Sequence, residues 1–180
     1  LNEPAAADQL AEEALEHFRQ DQFQAALDGF REAAALYRQA GQPVRAAEMA
    51  NNSAVTLIKV DRPQEALEAL SGTTEIFAEA GERRLQAQSI GNEAAVQEAL
   101  GRPDLALALY QRALAIFDEI DDDEARSYTL QAVSRLQLKS GQAFQALDSM
   151  QAALDARPRR GLFGRIIQAI MRLPTRLLNR

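Results

Sequence analysis

The chain has no cysteine, no tryptophan, one histidine and only 6% aromatic residues. Without cysteine there are no disulfides, thiolate nucleophiles or cysteine-based zinc sites, which fits a reducing, cytoplasmic setting. His17 is the sole imidazole, and Glu13 stands one helical turn before it. That spacing could hold a metal, but two ligands do not make a site, no H-E-x-x-H is present, and a surface ion pair is the plainer expectation. Asp121-Asp122-Asp123-Glu124 lacks the glycine and the alternation of a calcium loop and instead suits the start of a following helix. There is no phosphate-cradling glycine loop and no serine in a G-x-S-x-G setting. The sequence therefore predicts a non-enzymatic protein with no catalytic residues, no metal and no cofactor. No run reaches the ~18–20 apolar residues that a membrane-spanning helix needs. The opening Leu1-Asn2-Glu3-Pro4 has no basic region followed by an apolar core, so no signal peptide is expected.

What is present points to helices. Apolar residues make up 47% of the 180, supplied mainly by Ala and Leu. Glu, Gln and Arg are also strong helix formers, and β-branched residues are sparse. Charge is unevenly spread: residues 157–180 hold seven Arg and no acid. All 26 acids and only the other 13 of the 20 bases thus fall in residues 1–156, a net of −13. Such a body repels nucleic-acid phosphates, so no nucleic-acid partner is expected, whereas the tail would attract anions.

The chain repeats itself every 40 residues. Phe23-Gln-Ala-Ala-Leu27, Pro63-Gln-Glu-Ala-Leu67, Pro103-Asp-Leu-Ala-Leu107 and Ala143-Phe-Gln-Ala-Leu147 open four similar segments. Gly41 and Gly81 close two of them, Asp121 takes the equivalent place in the third, and Gly101 and Gly141 mark the turn midway. Periods of 20–50 residues signify solenoids or arrays. Within each period the apolar steps are three, four and three, as in Leu27, Phe30, Ala34, Tyr37 and in Leu107, Tyr110, Leu114, Phe117. That is helical spacing, and no run has the period of two of a strand. Pro63 and Pro103 suit a first helical turn, and glycine supplies left-handed stops. The spacing predicts helices near 5–20, 23–40, 44–60, 63–80, 83–100, 103–119, 123–140 and 143–156.

The run Asn92, Ala94, Gly101, Pro103, Ala106 resembles the tetratricopeptide repeat, and Asn52, Ala54, Asp61, Pro63, Ala66 match it one repeat earlier. The long period is similar to the class found in kinesin light chains, Pins-like adaptors and bacterial regulators. The resemblance implies an all-α, right-handed solenoid of about four antiparallel helix pairs over residues 1–156, with repeats near 5–41, 44–81, 83–121 and 123–156. It implies a protein- or peptide-binding scaffold whose first helices line a concave groove. The groove residues expected are Asn51, Asn52, Val55 and Lys59, then Asn92, Ala95 and Glu98, then Gln131, Arg135 and Lys139, with Glu12, Leu15 and Arg19 from the first repeat. In such a groove an Asn amide offers one donor and one acceptor to a peptide backbone. The sequence departs from the family where Glu12 and Ala132 replace the Asn. Glu48 and Gln88 stand where a carboxylate clamp needs Lys, so capture of a C-terminal carboxylate is not expected.

Residues 157–180 break the repeat. After Pro158-Arg-Arg-Gly161, Phe163, Ile166, Ile167, Ile170, Leu173, Leu177 and Leu178 fall on one helical face and Arg165, Arg172 and Arg176 on the other. Pro174 should kink such a helix. Three roles compete for this basic amphipathic segment. It is a cap over the last helix pair, or a membrane-surface element over residues 162–178 that makes the protein membrane-peripheral, or a helix that docks into an acidic groove of its own or another copy, giving a homo-oligomer. A regulatory module of a signalling protein is a further reading of the array.

Overall fold

The computed structural model describes residues 3–156. Helices α1 (Glu3–Arg19), α2 (Phe23–Gln39), α3 (Pro43–Lys59), α4 (Pro63–Ala69), α5 (Thr73–Glu79), α6 (Arg83–Ala99), α7 (Pro103–Glu119), α8 (Asp123–Lys139) and α9 (Ala143–Asp155) follow one another, and the described residues contain no strand. The basic amphipathic segment 157–180 lies outside the described residues.

The 40-residue sequence period is a 20-residue structural period. Asp21, Gly41, Asp61, Gly81, Gly101, Asp121 and Gly141 all adopt left-handed backbone, with φ between 54° and 75°. In each turn the next residue reaches back five positions: Gln42 N–H donates to the Tyr37 carbonyl at 2.8 Å, while Gly41 N–H donates to that of Arg38 at 3.1 Å. This Schellman pairing satisfies carbonyls that the helix end would leave bare and sets the next helix antiparallel. Pro43, Pro63 and Pro103 follow in first-turn positions, where no backbone donor is lost. Asp122 adds a side-chain cap to α8, its Oδ1 accepting from the Ala125 N–H at 3.0 Å.

One expected helix is two. Residues 63–80 break between α4 and α5 at Leu70-Ser71-Gly72, where Gly72 takes φ 78°. Glycine and β-branched Thr73 and Thr74 favour helix poorly, and the Thr73 hydroxyl donates to the Leu70 carbonyl at 2.8 Å instead of leaving that group bare. Thr73 Oγ1 also lies 2.6 Å from Ser89 Oγ in a buried contact that ties the break to α6. The break leaves the register intact, since α5 ends at Glu79 just as α2 ends at Gln39 and α7 at Glu119.

Successive helices pack side by side, and the small residues expected at close approaches are there. Ala26, Ala54, Ala66, Ala94 and Ala106 are fully buried. Tyr37, Phe30 and Phe77 are the largest fully buried side chains. No pair could bury its apolar face alone, and stacking makes the core continuous along the array. Tyr37 also donates to Asp8 at 2.6 Å and accepts from Arg45 at 2.7 Å, pinning the first pair to the second.

Candidate functional site

The first helix of each pair (α1, α3, α6 and α8) presents the same positions at 40-residue offsets. Residues 48, 88 and 128, then 52, 92 and 132, then 55, 95 and 135 form rows across one face. α3 packs directly on α6, whereas α8 stands further from α6 and rests on α7 over a smaller contact than α3 makes with α2. A pocket of about 370 Å³ opens between α6 and α8. Gln88 and Asn92 form one wall, Tyr128 and Ala132 the other, Arg84 and Glu124 one end, and Tyr110 and Phe117 of α7 the floor.

The chemistry of this pocket is mixed. Tyr128 is 75% exposed, an unusual state for an aromatic side chain. Among the described residues the side-chain amides of Asn52 and Asn92 have no intramolecular hydrogen-bond partner; at Asn52 only the backbone carbonyl is engaged, by Thr56. Both amides are thus open to a guest. Burial, helped by the nearby Glu98 charge, pushes the Tyr110 hydroxyl up to about 12, so it stays protonated. Arg84 is held at the rim, its Nε donating to Asp122 at 2.7 Å.

The structure brings together three of the expected groove residues in another role. Glu98 of α6 accepts from Lys139 at 2.7 Å and from Arg135 at 3.3 Å, both on α8. Burial pushes the Glu98 carboxyl up, but the Lys139 hydrogen bond and the Arg135 charge outweigh it and hold the group below the usual carboxylate range. This triad joins α6 to α8 outside the pocket lining. Glu48, on the same row as Gln88, has its carboxyl pushed up by burial and by Glu82, against the pull of Arg45.

The other expected residues are scattered. Asn51 is a correction: it is only 6% exposed, and its Oδ1 has no partner. Adjacent helix positions point about 100° apart, so with Asn52 half-buried toward the face its neighbour turns inward. Val55 and Ala95 are half-buried, and Lys59 is exposed. Gln131 is exposed and reaches back to the Ser127 carbonyl at 3.3 Å. Glu12 is exposed, Leu15 packs against the first core cluster, and Arg19 bonds Glu16 at 3.4 Å. His17 pairs with Gln22 rather than with Glu13, which accepts from Gln9. Of the ten groove residues expected in the second to fourth repeats, Asn92 lines the pocket. Gln88 and Tyr128 also line it and were not among the expected residues, although their place four residues before Asn92 and Ala132 is readable from the period.

Among the described residues no three His, Asp or Glu side chains cluster to hold a metal, and no helix is long and apolar enough to cross a membrane.

Paired helices at a fixed period, stacked around small-residue contacts, define a helical-repeat solenoid. The tetratricopeptide repeat profile matches residues 45–119 and 85–159, and the chain belongs to that family. No curated protein sequence matches it. Several solved structures share the fold, among them the following three. Aspartyl phosphate phosphatase F from Bacillus subtilis has a TM-score of 0.80 at 13% identity, over 87% of this chain and 41% of its own. The Rap conjugation gene regulator of the plasmid pLS20, in complex with the Phr* peptide, has 0.74 at 16%, over 86% and 42%. The Podosopora anserina putative kinesin light chain, with nearly identical TPR-like repeats, has 0.72 at 17%, over 89% and 79%. This chain thus spans less than half of the first two, and at these identities the likeness concerns the fold alone.

Proposed function

We propose that the chain is a non-enzymatic scaffold that binds an extended peptide, or a peptide-like segment of a partner protein, along the face of its first helices. The α6–α8 pocket is the main contact. The observation that carries this reading is the pocket itself: an exposed Tyr128 and the amides of Gln88 and Asn92 line it together with Tyr110 and Phe117. Amides bond a peptide backbone with little demand on its sequence, and the aromatic floor accepts one apolar side chain as an anchor. Tyrosine is also over-represented among residues that dominate binding energy. The peptide complex of the pLS20 regulator supports the same use of a related fold, and favours a regulatory setting over a purely structural one.

Selection from a displayed library of random peptides tests this. Peptides recovered on the wild-type chain should lose affinity roughly tenfold or more, about 1.4 kcal/mol, on Tyr128→Ala or Asn92→Ala. Unchanged affinity in both variants would discard the pocket as the site.

A further inference from the structure

Charge is not evenly shared along the face of the first helices. At 40-residue offsets the row of Tyr128 reads Asp8, Glu48, Gln88, Tyr128, and the row of Asn92 reads Glu12, Asn52, Asn92, Ala132. In both rows the acids stand at the α1 and α3 end and the uncharged residues at the α6 and α8 end. Asp8 is already engaged, accepting from Tyr37 at 2.6 Å and from Arg45 at 2.9 Å. Glu48 is half-buried, yet among the described residues it has no hydrogen bond or ion pair.

The surroundings of Glu48 leave its charge uncompensated. Gln88 lines the slot between α6 and α8, so Glu48, one repeat earlier, takes the same place between α3 and α6. Burial pushes its carboxyl up, and Glu82 at the start of α6 pushes the same way. Arg45 pulls against both from one helical turn away. Its guanidinium is committed elsewhere, bonded to Asp8 and stacked 4.8 Å from the centre of the Tyr37 ring. A half-buried carboxylate gives up hydration, and a cation bound against it restores what was lost. Asn52, one turn further along α3, adds an unpaired amide beside it.

We infer, resting on the α6–α8 pocket as the anchor site, that Glu48 binds a Lys or Arg side chain of the same extended peptide. The two slots are one helix spacing apart, roughly 10 Å, and an extended chain advances about 3.3 Å per residue. The basic residue therefore stands about three positions from the apolar residue that enters the pocket. The ligand class is a peptide with one basic and one apolar side chain at that separation, joined by backbone that the amides of Asn52 and Asn92 can bond.

Peptides selected on the full wild-type chain and weakened by Tyr128→Ala form the set to read. Lys or Arg should recur in them about three positions from an apolar residue. Glu48→Gln should weaken these peptides roughly tenfold, and so should Gln in place of the peptide's basic residue. Both changes together should cost little more than either alone, as a direct contact requires. The peptide-side change reads that contact in the unaltered chain. Glu68→Gln on α4, a second helix of its pair, should leave affinity unmoved. Tyr128-dependent peptides without a recurring basic residue, additive losses in the cycle, or an equal loss from Glu68→Gln would overturn the role of Glu48 and leave the pocket standing. Finding no Tyr128-dependent peptide would remove both.

Discussion

Gly29 of α2 faces Ala14 of α1 so closely that a Cβ on Gly29 would stand 2.8 Å from the Ala14 Cβ. The other nearby atoms are backbone, the Ala14 Cα at 3.5 Å and the Leu10 carbonyl oxygen at 3.6 Å, so nothing flexible can yield. The first helix pair is therefore closed on a glycine in the middle of a helix, where propensity alone would favour alanine.

Gly29→Ala should destabilise the chain by about 1–3 kcal/mol, because overpacking outweighs the roughly 1 kcal/mol that alanine gains in helix propensity. Gly91→Ala is the control. A Cβ there meets nothing within 4 Å, so that variant should gain up to about 1 kcal/mol. Urea midpoints at unchanged slope report both.

Asp61 sits at φ 58° in a turn whose equivalents at Gly101 and Gly141 are glycine. A left-handed L-residue costs about 1–2 kcal/mol, partly relieved for Asp. Asp61→Gly should therefore stabilise by roughly 0.5–1 kcal/mol, and Gly141→Ala should cost about 1 kcal/mol or more. Thermal denaturation of the two variants should move in opposite directions.

Glu98 links α6 to α8 through Lys139 and Arg135, and its folded carboxyl is held below 4.5. A depressed carboxylate contributes stability above its unfolded value, and this is lost as pH falls through the folded one. Glu98→Gln should cost about 1 kcal/mol near neutral pH, since both partners are largely exposed. The difference from wild type should shrink below pH 4.5. A gap that persists at low pH would mean the triad does not hold α8 electrostatically.

The array was legible because every turn obeys the same local rule. Gly41, Gly81, Gly101 and Gly141 stop helices through their own backbone freedom, and Leu27, Phe30, Ala34 and Tyr37 announce a helix face without knowledge of what covers it. Asp21 and Asp61 do the same work less visibly, because aspartate reads first as a charge and only second as a residue that tolerates positive φ. The break at Gly72 was hidden because it changes no spacing; its cue was the Ser71-Gly72-Thr73-Thr74 composition inside an otherwise regular segment.

The site was less legible than the fold. Asn51 and Asn52 look alike in sequence, but one is buried and the other half-buried with an unpaired amide, because a helix turns about 100° per residue. Glu98, Arg135 and Lys139 read as three free ligand contacts, whereas proximity across α6 and α8 makes them one another's partners.

Composition and period by themselves determined the helices apart from the break at Gly72, since these rest on propensities and turns that act over a few residues, and the residues around Asn92 and Pro103 carried the likeness to the family. Only the tertiary structure decided that α8 stands off from α6, that a pocket with Tyr128 opens there, and which charges neutralise each other. Those outcomes depend on distances between residues about 40 apart in the chain, which packing of whole helices sets and no local spacing encodes.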